Sequence, residues 1–321
     1  MEAVCSLRRP VAGAAVSWHN RWDAEVSAFY ADLGGEGWLP EPLMATLLAD
    51  QSIHTKRVAL LSRRGRPWAL VPLRWTSKYW EPLLRAVAEP FPDMLVRGSN
   101  REVFAALNVG VFVRYGLDDP AGFRNRRWTT SLTAYELDLD ESPELYWRHK
   151  DRWKSVTQSR KRTAAFELVT GDPAAERWTV EQWRDRWGTG NPMEAVSRWH
   201  DRLAFDDWGR TSGVVKSWAL RDGSRWVAGC IGLVRGDTMY LQTVARDREY
   251  DWHAVGTRTF SEAVLGAWDA GLRRVSLGAG LEYKRWWAKP KGARYSYLVA
   301  PRPVQALHWA VDRATALRGR A

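Results

Sequence analysis

The sequence predicts a mixed α+β fold built from two related units that join near residues 120–145. Segments with apolar residues at helical spacing alternate with short apolar runs bounded by turn residues. Two hairpin-like stretches also echo each other, because Gly65-Arg66-Pro67-Trp68 and Gly223-Ser224-Arg225-Trp226 both place a tryptophan three residues after a turn glycine. The order helix, helix, hairpin, helix, strand occurs twice in rough form, and this repetition predicts the two units.

The first unit is predicted to open with helices between residues 15 and 50. There, HNRWDAEVSAFYADL and EPLMATLLADQ carry apolar residues at helical spacing. Residues 57–75 predict two strands around a turn at Arg64-Gly65. A short helix (NREVFAALN), a strand (VGVFVRYG) and an extended segment over residues 129–139 follow.

The second unit is predicted to begin with a helix at Ser142-Pro143-Glu144. These residues combine a capping hydroxyl, a proline in the first turn and an acid at the positive helix end. This helix is expected to run to about Ala165, and two more fit AAERWTVEQWRDRWG and MEAVSRWHDRLAFDDWG. Three antiparallel strands follow, with turns at Asp222-Gly223 and Gly236-Asp237. A helix over residues 254–271, strands at LRRVSLGAG and RYSYLVA, and a C-terminal helix complete the unit.

Composition favours a polyanionic partner. The 321 residues include 48 Lys and Arg against 37 Asp and Glu, which gives a net charge of +11 and a pI near 9.9. Nucleic acid, CoA or a nucleotide-linked sugar would suit this balance, and an arginine-rich proteome is the alternative explanation. The 21 tryptophans are equally open to two explanations, core packing or stacking on bases and rings.

Several other classes of protein are disfavoured. The sequence has no run of 18 apolar residues and no convincing signal peptide, and its two cysteines, Cys5 and Cys230, lie far apart. A cytoplasmic protein without a membrane span is therefore expected. The six histidines show no metal-ligand spacing, and neither G-x-S-x-G nor a P-loop occurs. The adjacent pair Asp206-Asp207 is expected on the surface.

The stretch LGAGLEYKRWWAKPKG, residues 277–292, combines strand-end glycines with basic and aromatic residues. Glycines after a strand indicate close approach to the backbone. With the three antiparallel strands and the helix before it, this stretch resembles the GNAT fold. The basic helix LYWRHKDRWKSVTQSRKRTAAFELVTGD and the order Gly278, Gly280, Tyr283-Lys284 resemble more closely the FemAB-like, or BioF2-like, branch, whose members carry two GNAT-like domains in tandem.

The resemblance implies an N-terminal, degenerate GNAT-like domain over residues 1–140 and a C-terminal one over residues 141–321 that carries the acyl-transfer site. Each would be a mixed, mostly antiparallel sheet flanked by helices. The implied activity moves an aminoacyl group from aminoacyl-tRNA to an amine of a small-molecule or peptide acceptor, in natural-product, antibiotic or cell-wall biosynthesis. An acyl-CoA-dependent N-acyltransferase and a non-catalytic, RNA-binding GNAT pair are the alternatives. No tightly bound cofactor and no metal is expected.

The resemblance also implies site residues. Lys284 would stabilise the oxyanion, Tyr283 would pack beside it or donate a hydrogen bond, and Glu282 would serve as a base. Donor or substrate binding falls to Gly278, Gly280, Gln242, Gly256, Arg258 and Trp286. Contacts to tRNA fall to Arg148, Lys150, Arg152, Lys154, Arg160, Lys161, Arg162, Lys289 and Lys291.

Two features favour tRNA over CoA as the source of the acyl group. GNAT enzymes that use CoA carry Q/R-x-x-G-x-G/A before the long helix, whereas this chain has Asp251-Trp252-His253-Ala254-Val255-Gly256. An acid near a pyrophosphate is electrostatically unfavourable, and loss of the middle glycine restricts backbone approach. Residues 148–162 carry seven basic residues with Trp153 among them, a pattern that suits a single-stranded RNA end; a solvated helix face is the alternative.

Overall fold

The structure is a computed structural model that describes residues 3–6, 11–35, 39–51, 55–75, 80–83, 94–97, 100–107, 109, 111–115, 130–187, 192–279, 282–300, 303, 306, 307 and 310. The chain divides into two compact units, the first made of residues 1–86, 91–132 and 293–321 and the second of residues 87–90 and 133–292. The domain predicted from the sequence keeps everything after residue 140 together, whereas in the structure residues 293–300 group with the first unit.

The first unit is a sheet with helices. Its elements are β1 (Ala3–Ser6), β2 (Ala14–His19), α1 (Ala24–Asp32), α2 (Glu41–Ala49), β3 (Lys56–Arg63), β4 (Arg66–Trp75), β5 (Trp80–Pro82), β6 (Leu95–Val96), α3 (Asn100–Leu107), β7 (Val111–Tyr115) and the later part of β14 (Lys289–Ala300).

The second unit repeats this mixture on a larger scale. Its elements are β8 (Thr130–Asp138), of which residues 133–138 belong to this unit, α4 (Pro143–His149), α5 (Trp153–Arg162), β9 (Glu167–Thr170), α6 (Pro173–Trp187), α7 (Pro192–Thr211), β10 (Val215–Asp222), β11 (Arg225–Arg235), β12 (Thr238–Arg246), α8 (Val255–Asp269) and β13 (Arg274–Ala279), with 3₁₀ turns over Arg248–His253 and Glu282–Trp286.

Both units have the same order and direction of strands. The order is β2-β3-β4-β5-β7-β14 in the first and β9-β10-β11-β12-β13-β8 in the second. Within each series the neighbours that pair are antiparallel, apart from one parallel pair, β5 with β7 and β12 with β13. The two predicted α+β units are therefore related in topology.

The hairpins β3–β4 and β10–β11 repeat in detail. Their first strands share one burial pattern, and the register shifts after Leu61 in the first and after Leu220 in the second, which is the sixth residue of each strand. The tryptophans that suggested the repeat do not correspond, however. Trp68 is the third residue of β4 and is buried, whereas Trp226 is the second residue of β11 and half-buried, so the two point to opposite faces.

The two repeats differ at one buried cross-strand pair. Val215 pairs with Leu233 in the second unit, and the equivalent pair in the first unit is Lys56 with Arg74. Both cations are buried: Lys56 donates to the Leu47 carbonyl at 2.8 Å, and Arg74 donates to Glu81. The first unit thus buries charge where the second buries apolar side chains.

Helices cover both faces of the second sheet. Along β11, a Cβ on Gly229 would meet Thr179 of α6, while the next residue, Cys230, packs in a cluster with Phe260 and Val264 of α8. Because successive strand residues point to opposite faces, α6 and α8 lie on opposite sides. Among the described residues, no helix is long and apolar enough to cross a membrane.

Two predicted elements differ from the structure. The predicted helical region over residues 15–50 begins with a strand, Ala14–His19, paired with β3. The helix predicted to run to Ala165 is two helices, since Asp151 adopts a left-handed backbone (φ 54°) between α4 and α5. Most of the predicted C-terminal helix lies outside the described residues.

Candidate active site

The turn that carries Lys284 is anchored by a buried tryptophan. Strand β13 leads into the 3₁₀ turn Glu282–Trp286, and Trp287 directly after it is buried against Phe260 of α8 (ring centroids 4.5 Å apart) and Trp147 of α4 (6.4 Å). The amides of Trp287 and Ala288 each donate to the Lys284 carbonyl at 3.0 Å. The position of Lys284 is therefore fixed by packing against two helices.

Lys284 lies directly over Gly278. Its Nζ is 3.9 Å from the position that a Cβ on Gly278 would occupy, and Gly278 has φ +68°, a conformation that favours glycine. The pairing of β13 with β8 shifts register between Ser276 and Gly278, so the strand bends where the lysine passes. Burial lowers the pKa of Lys284 to about 8. An ammonium with this pKa is still mostly charged at neutral pH and can donate hydrogen bonds to an oxyanion.

Tyr283 lies at the edge of the same site. Its side chain is 44% exposed. Partial burial raises its pKa, the nearby Cys230 adds to the increase, and the guanidinium groups of Arg186 and Arg246 oppose it. Two cations therefore lie near enough to Tyr283 to oppose the increase in its pKa.

Gln242 occupies a β-bulge. In the β11–β12 pairing, Ile231 faces Thr243 and Gly232 faces Leu241, so Gln242 is the extra residue that has no opposite partner. Its side-chain Oε1 accepts a hydrogen bond from Arg202 Nη1 of α7 at 2.6 Å. The side chain of this predicted binding residue is therefore held by the protein.

The start of α8 has a left-handed residue but no side-chain cap. Ala254 (φ 59°) precedes the helix without capping it, and Gly256 lies close to Arg246, since a Cβ there would be 3.3 Å from Arg246 Cδ. Arg246 forms an ion pair with Asp251. Arg258, which is predicted to bind the donor, lies 3.2 Å from Glu262 one turn along, and burial lowers its pKa.

The basic helices carry most of the predicted tRNA contacts. These cations have exposed or half-buried side chains, and seven of them pair with no acid in the described part of the chain: Arg148, Lys150, Arg152, Lys154, Lys161, Arg162 and Lys289. Arg160 and Lys291 differ from them, because Arg160 pairs with Glu262 at 3.1 Å and Lys291 with Asp138 at 3.2 Å.

Two arginines of this surface stack on tryptophans. Arg148 lies 4.6 Å from the centre of the Trp153 ring, and Arg152 lies 4.8 Å from that of Trp286, which is 50% exposed. Because Trp286 follows Lys284 by two residues, the basic surface reaches the turn that carries the lysine.

Two predicted residues fall outside what the structure describes. They are Gly280 and the side chain of Glu282, so the role of Glu282 as a base stays a prediction. No group of His, Cys, Asp and Glu suited to a metal occurs among the described residues.

Sequence reasoning missed a buried polar cluster on α7. The expectation that Asp206 lies on the surface is wrong, because Asp206 is buried while Asp207 is exposed. Burial raises the pKa of Asp206 to about 6 against the opposing influence of Arg202, whose Nε donates to Asp206 Oδ1 at 2.7 Å. The spacing of Arg202 and Asp206, one helical turn apart, was the signal that could have revealed this pair.

Comparison with known proteins agrees with the fold. A family model described as an acetyltransferase (GNAT) domain matches residues 124–286, about half of the chain. No curated protein matches.

Solved structures of similar fold span most of the chain. The C-terminal domain (DUF2156) of a putative lysylphosphatidylglycerol synthetase from Agrobacterium fabrum is 12% identical, with 92% of this chain and 96% of that chain covered and a TM-score of 0.50. A tandem GNAT protein from the clavulanic acid biosynthesis pathway (15% identity, 89% and 98% covered, TM-score 0.49) and FemX (10% identity, 88% and 97% covered, TM-score 0.46) are also similar.

The match of this family model to residues 124–286 defines the class of protein as an acyltransferase. The chain belongs to the GNAT acetyltransferase family. The predicted GNAT superfamily, tandem α+β fold and acyltransferase activity are thus confirmed.

Proposed function

We propose that this acyltransferase takes an aminoacyl group from aminoacyl-tRNA and transfers it to an amine of a small-molecule or peptide acceptor. The observation that carries this proposal is the contact of Arg152 with the ring of Trp286, 4.8 Å from guanidinium carbon to ring centre. This contact joins the basic surface of α4 and α5 to the turn of Lys284. In this proposal, a tRNA bound along the surface has its aminoacylated 3′ end at the lysine.

The surface has the chemistry that an RNA end requires. Exposed lysines and arginines neutralise phosphates, and partly exposed aromatic rings stack on unpaired bases. Arg148, Lys150 and Lys154 are exposed within the segment that forms α4 and α5, and the half-exposed ring of Trp286 contacts Arg152 of the same segment. Because the cations are spread along the surface, they support a donor whose phosphates are spread along a chain, as in tRNA.

The proposed chemical step uses Lys284 to stabilise an oxyanion. The neutral acceptor amine attacks the ester carbonyl carbon of the aminoacyl group, and the carbonyl oxygen becomes an oxyanion that the Lys284 ammonium stabilises. The C–O bond to the ribose then breaks, the ribose oxygen takes up a proton, the amine loses one, and an amide remains. We expect Tyr283, which is partly exposed and adjacent to Lys284 in sequence, to donate a hydrogen bond in the same step.

An acyl-CoA donor is the second candidate because of the start of α8. The first turn of this helix lacks a side-chain cap, and helix N-termini bind phosphates through their free N–H groups. Arg246 pairs with Asp251 and so partly neutralises the negative charge that would repel a pyrophosphate there.

A donor assay on the purified protein separates the candidates. A pool of charged tRNAs and a pool of acyl-CoAs are each offered with mixed amines, and we measure tRNA deacylation and CoA release. We expect deacylation that RNase treatment abolishes and that falls in a variant with Arg148, Lys150 and Lys154 changed to Gln. A control variant with Arg177, Lys216 and Arg273 changed to Gln removes three exposed charges elsewhere in the unit. CoA release with untouched tRNA contradicts the proposal.

A further inference from the structure

A buried hydrogen-bonded chain connects α7 to the bulge in β12. Asp206 accepts from Arg202 Nε at 2.7 Å, and Arg202 Nη1 in turn donates to Gln242 Oε1 at 2.6 Å. Arg202 and Asp206 are both buried, and Gln242 is half-buried. The two ends of the bond to Gln242 are 40 residues apart in sequence, so this contact forms only when α7 docks on the sheet.

The hydrogen bond from Arg202 to Gln242 restrains a residue that lies in a bulge. In regular strands the ladder of backbone hydrogen bonds fixes each residue, but a bulge leaves its extra residue outside the ladder. Gln242 is that residue in β12. A charge-assisted hydrogen bond to its side chain is about twice as strong as a neutral one and replaces part of the missing restraint.

The bulge adjoins the residues around Lys284. Leu241, the residue before Gln242, belongs to the same buried cluster as Trp287, which anchors the turn of Lys284. Cys230, which pairs with Val244 two residues beyond Gln242, belongs to that cluster as well. A change in the path of β12 at Gln242 would therefore shift residues that pack near the turn of Lys284.

We propose that Arg202 is a positioning residue that holds Gln242, and through it the bulge of β12, in the geometry needed for acyl transfer, while Asp206 orients its guanidinium. The proposal rests on the acyl transfer inferred above. Stability alone does not explain the cluster, because a buried ion pair can often be replaced by apolar residues of similar volume at no cost.

Two variants with different chemistry test the role. Arg202→Met/Asp206→Leu removes both charges and keeps apolar volume, and Gln242→Leu leaves the ion pair on α7 intact. Arg221→Met, which removes an arginine from an exposed ion pair with Glu167, is the matched control. Amide hydrogen exchange of the β12 segment over residues 238–246 is compared with that of β10, residues 215–222, in the same protein.

In both test variants, amide exchange near the bulge should be faster by about tenfold or more, with β10 unchanged. In transfer assays kcat should fall by about tenfold or more with little change in KM, because small misplacements near the chemistry are costly. The conservative change Arg202→Lys retains one charged hydrogen bond. It should therefore restore part of the protection from exchange at β12 and part of kcat.

Wild-type exchange at β12, or a kcat within about twofold of wild type, in either folded variant would overturn the positioning role. Exchange needs no substrate, so it decides the restraint on the bulge even if the wild-type protein transfers from neither donor. Transfer from neither donor by the wild-type protein would contradict the proposed function, whereas unchanged exchange in the variants would contradict the positioning role. If the double variant does not fold, Gln242→Leu supplies the same comparison.

Discussion

Lys284 Nζ lies 3.9 Å from the point where a Cβ on Gly278 would stand, and that glycine has φ +68°. The lysine therefore passes over the end of β13 at Gly278, which has no side chain. The backbone of this glycine has a conformation that other residues seldom adopt. This relationship explains why the glycine and the lysine occur together in LGAGLEYKRWW, and it makes both testable.

Gly278→Ala should lower both stability and turnover. The left-handed backbone costs a non-glycine residue about 1 kcal/mol, and the added methyl would touch the ammonium and further disfavour its charge. Gly271→Ala is the matched control, because Gly271 has φ +72° at the end of α8 with open space around it. Urea unfolding should show similar losses for the two variants, and kinetics should show a loss of turnover for Gly278→Ala alone. Equal turnover in Gly278→Ala and Gly271→Ala would show that Gly278 has no particular role in the reaction.

Lys284→Met should lower turnover by at least about tenfold, because an oxyanion donor is lost. The pH dependence identifies the charge as the cause. Burial lowers the pKa of Lys284 to about 8, so the ammonium disappears as pH rises through 8, and turnover should decline there relative to Lys284→Arg, which stays charged. Deprotonation of the acceptor amine affects both proteins equally and cancels in the ratio of their rates. A constant ratio from pH 6 to about 9.5 would exclude the ammonium from the rate-determining step.

The same lowered pKa predicts a dependence of stability on pH. Between pH 8 and the ordinary lysine pKa of 10.5, the unfolded chain binds a proton at this position that the folded protein does not. Stability contributed by this position therefore rises with pH across that window. The difference in free energy of unfolding between wild type and Lys284→Met should shift in favour of wild type from pH 8 to pH 10. A difference that does not change with pH would mean that Lys284 has an ordinary pKa in the folded protein.

Glu81→Gln should destabilise the first unit strongly. It removes the carboxylate charge beside Arg74, which is fully buried, and breaking a buried ion pair costs about 3–5 kcal/mol. Glu102→Gln is the control: its partner Arg63 lies 3.2 Å away in an exposed pair, which contributes about 1 kcal/mol or less. Chemical unfolding measures both. Equal effects would indicate that Arg74 finds a compensating partner.

Much of the second unit could be predicted from local patterns. The turns at Gly223 and Gly236, the end of α8 at Gly271 and the strand leading to Gly278 all follow from glycines between apolar segments, and each of these glycines has a positive φ in the structure. The association of Gly278 with Lys284 was likewise visible, because both lie within seven residues of one motif.

The remaining features depend on tertiary contacts. Asp151 breaks the basic helix in a left-handed conformation that its residue type does not require. Asp206 is buried beside an exposed acid because α7 presents only one of the two to the sheet. The bond from Arg202 to Gln242 joins residues 40 positions apart, which no local pattern reveals. The order of the strands equally depends on contacts far apart in sequence, since the first unit is completed by residues 293–300.

The measurement that tests the central claim most directly follows a labelled aminoacyl group. Charged tRNAs carrying labelled amino acids are incubated with pooled amines and peptides, and labelled amide products are quantified for wild type and Lys284→Met. The account predicts RNase-sensitive amide formation by wild type that drops by at least about tenfold in the variant. No labelled amide from wild type, or equal amounts of it from both proteins, would contradict the account.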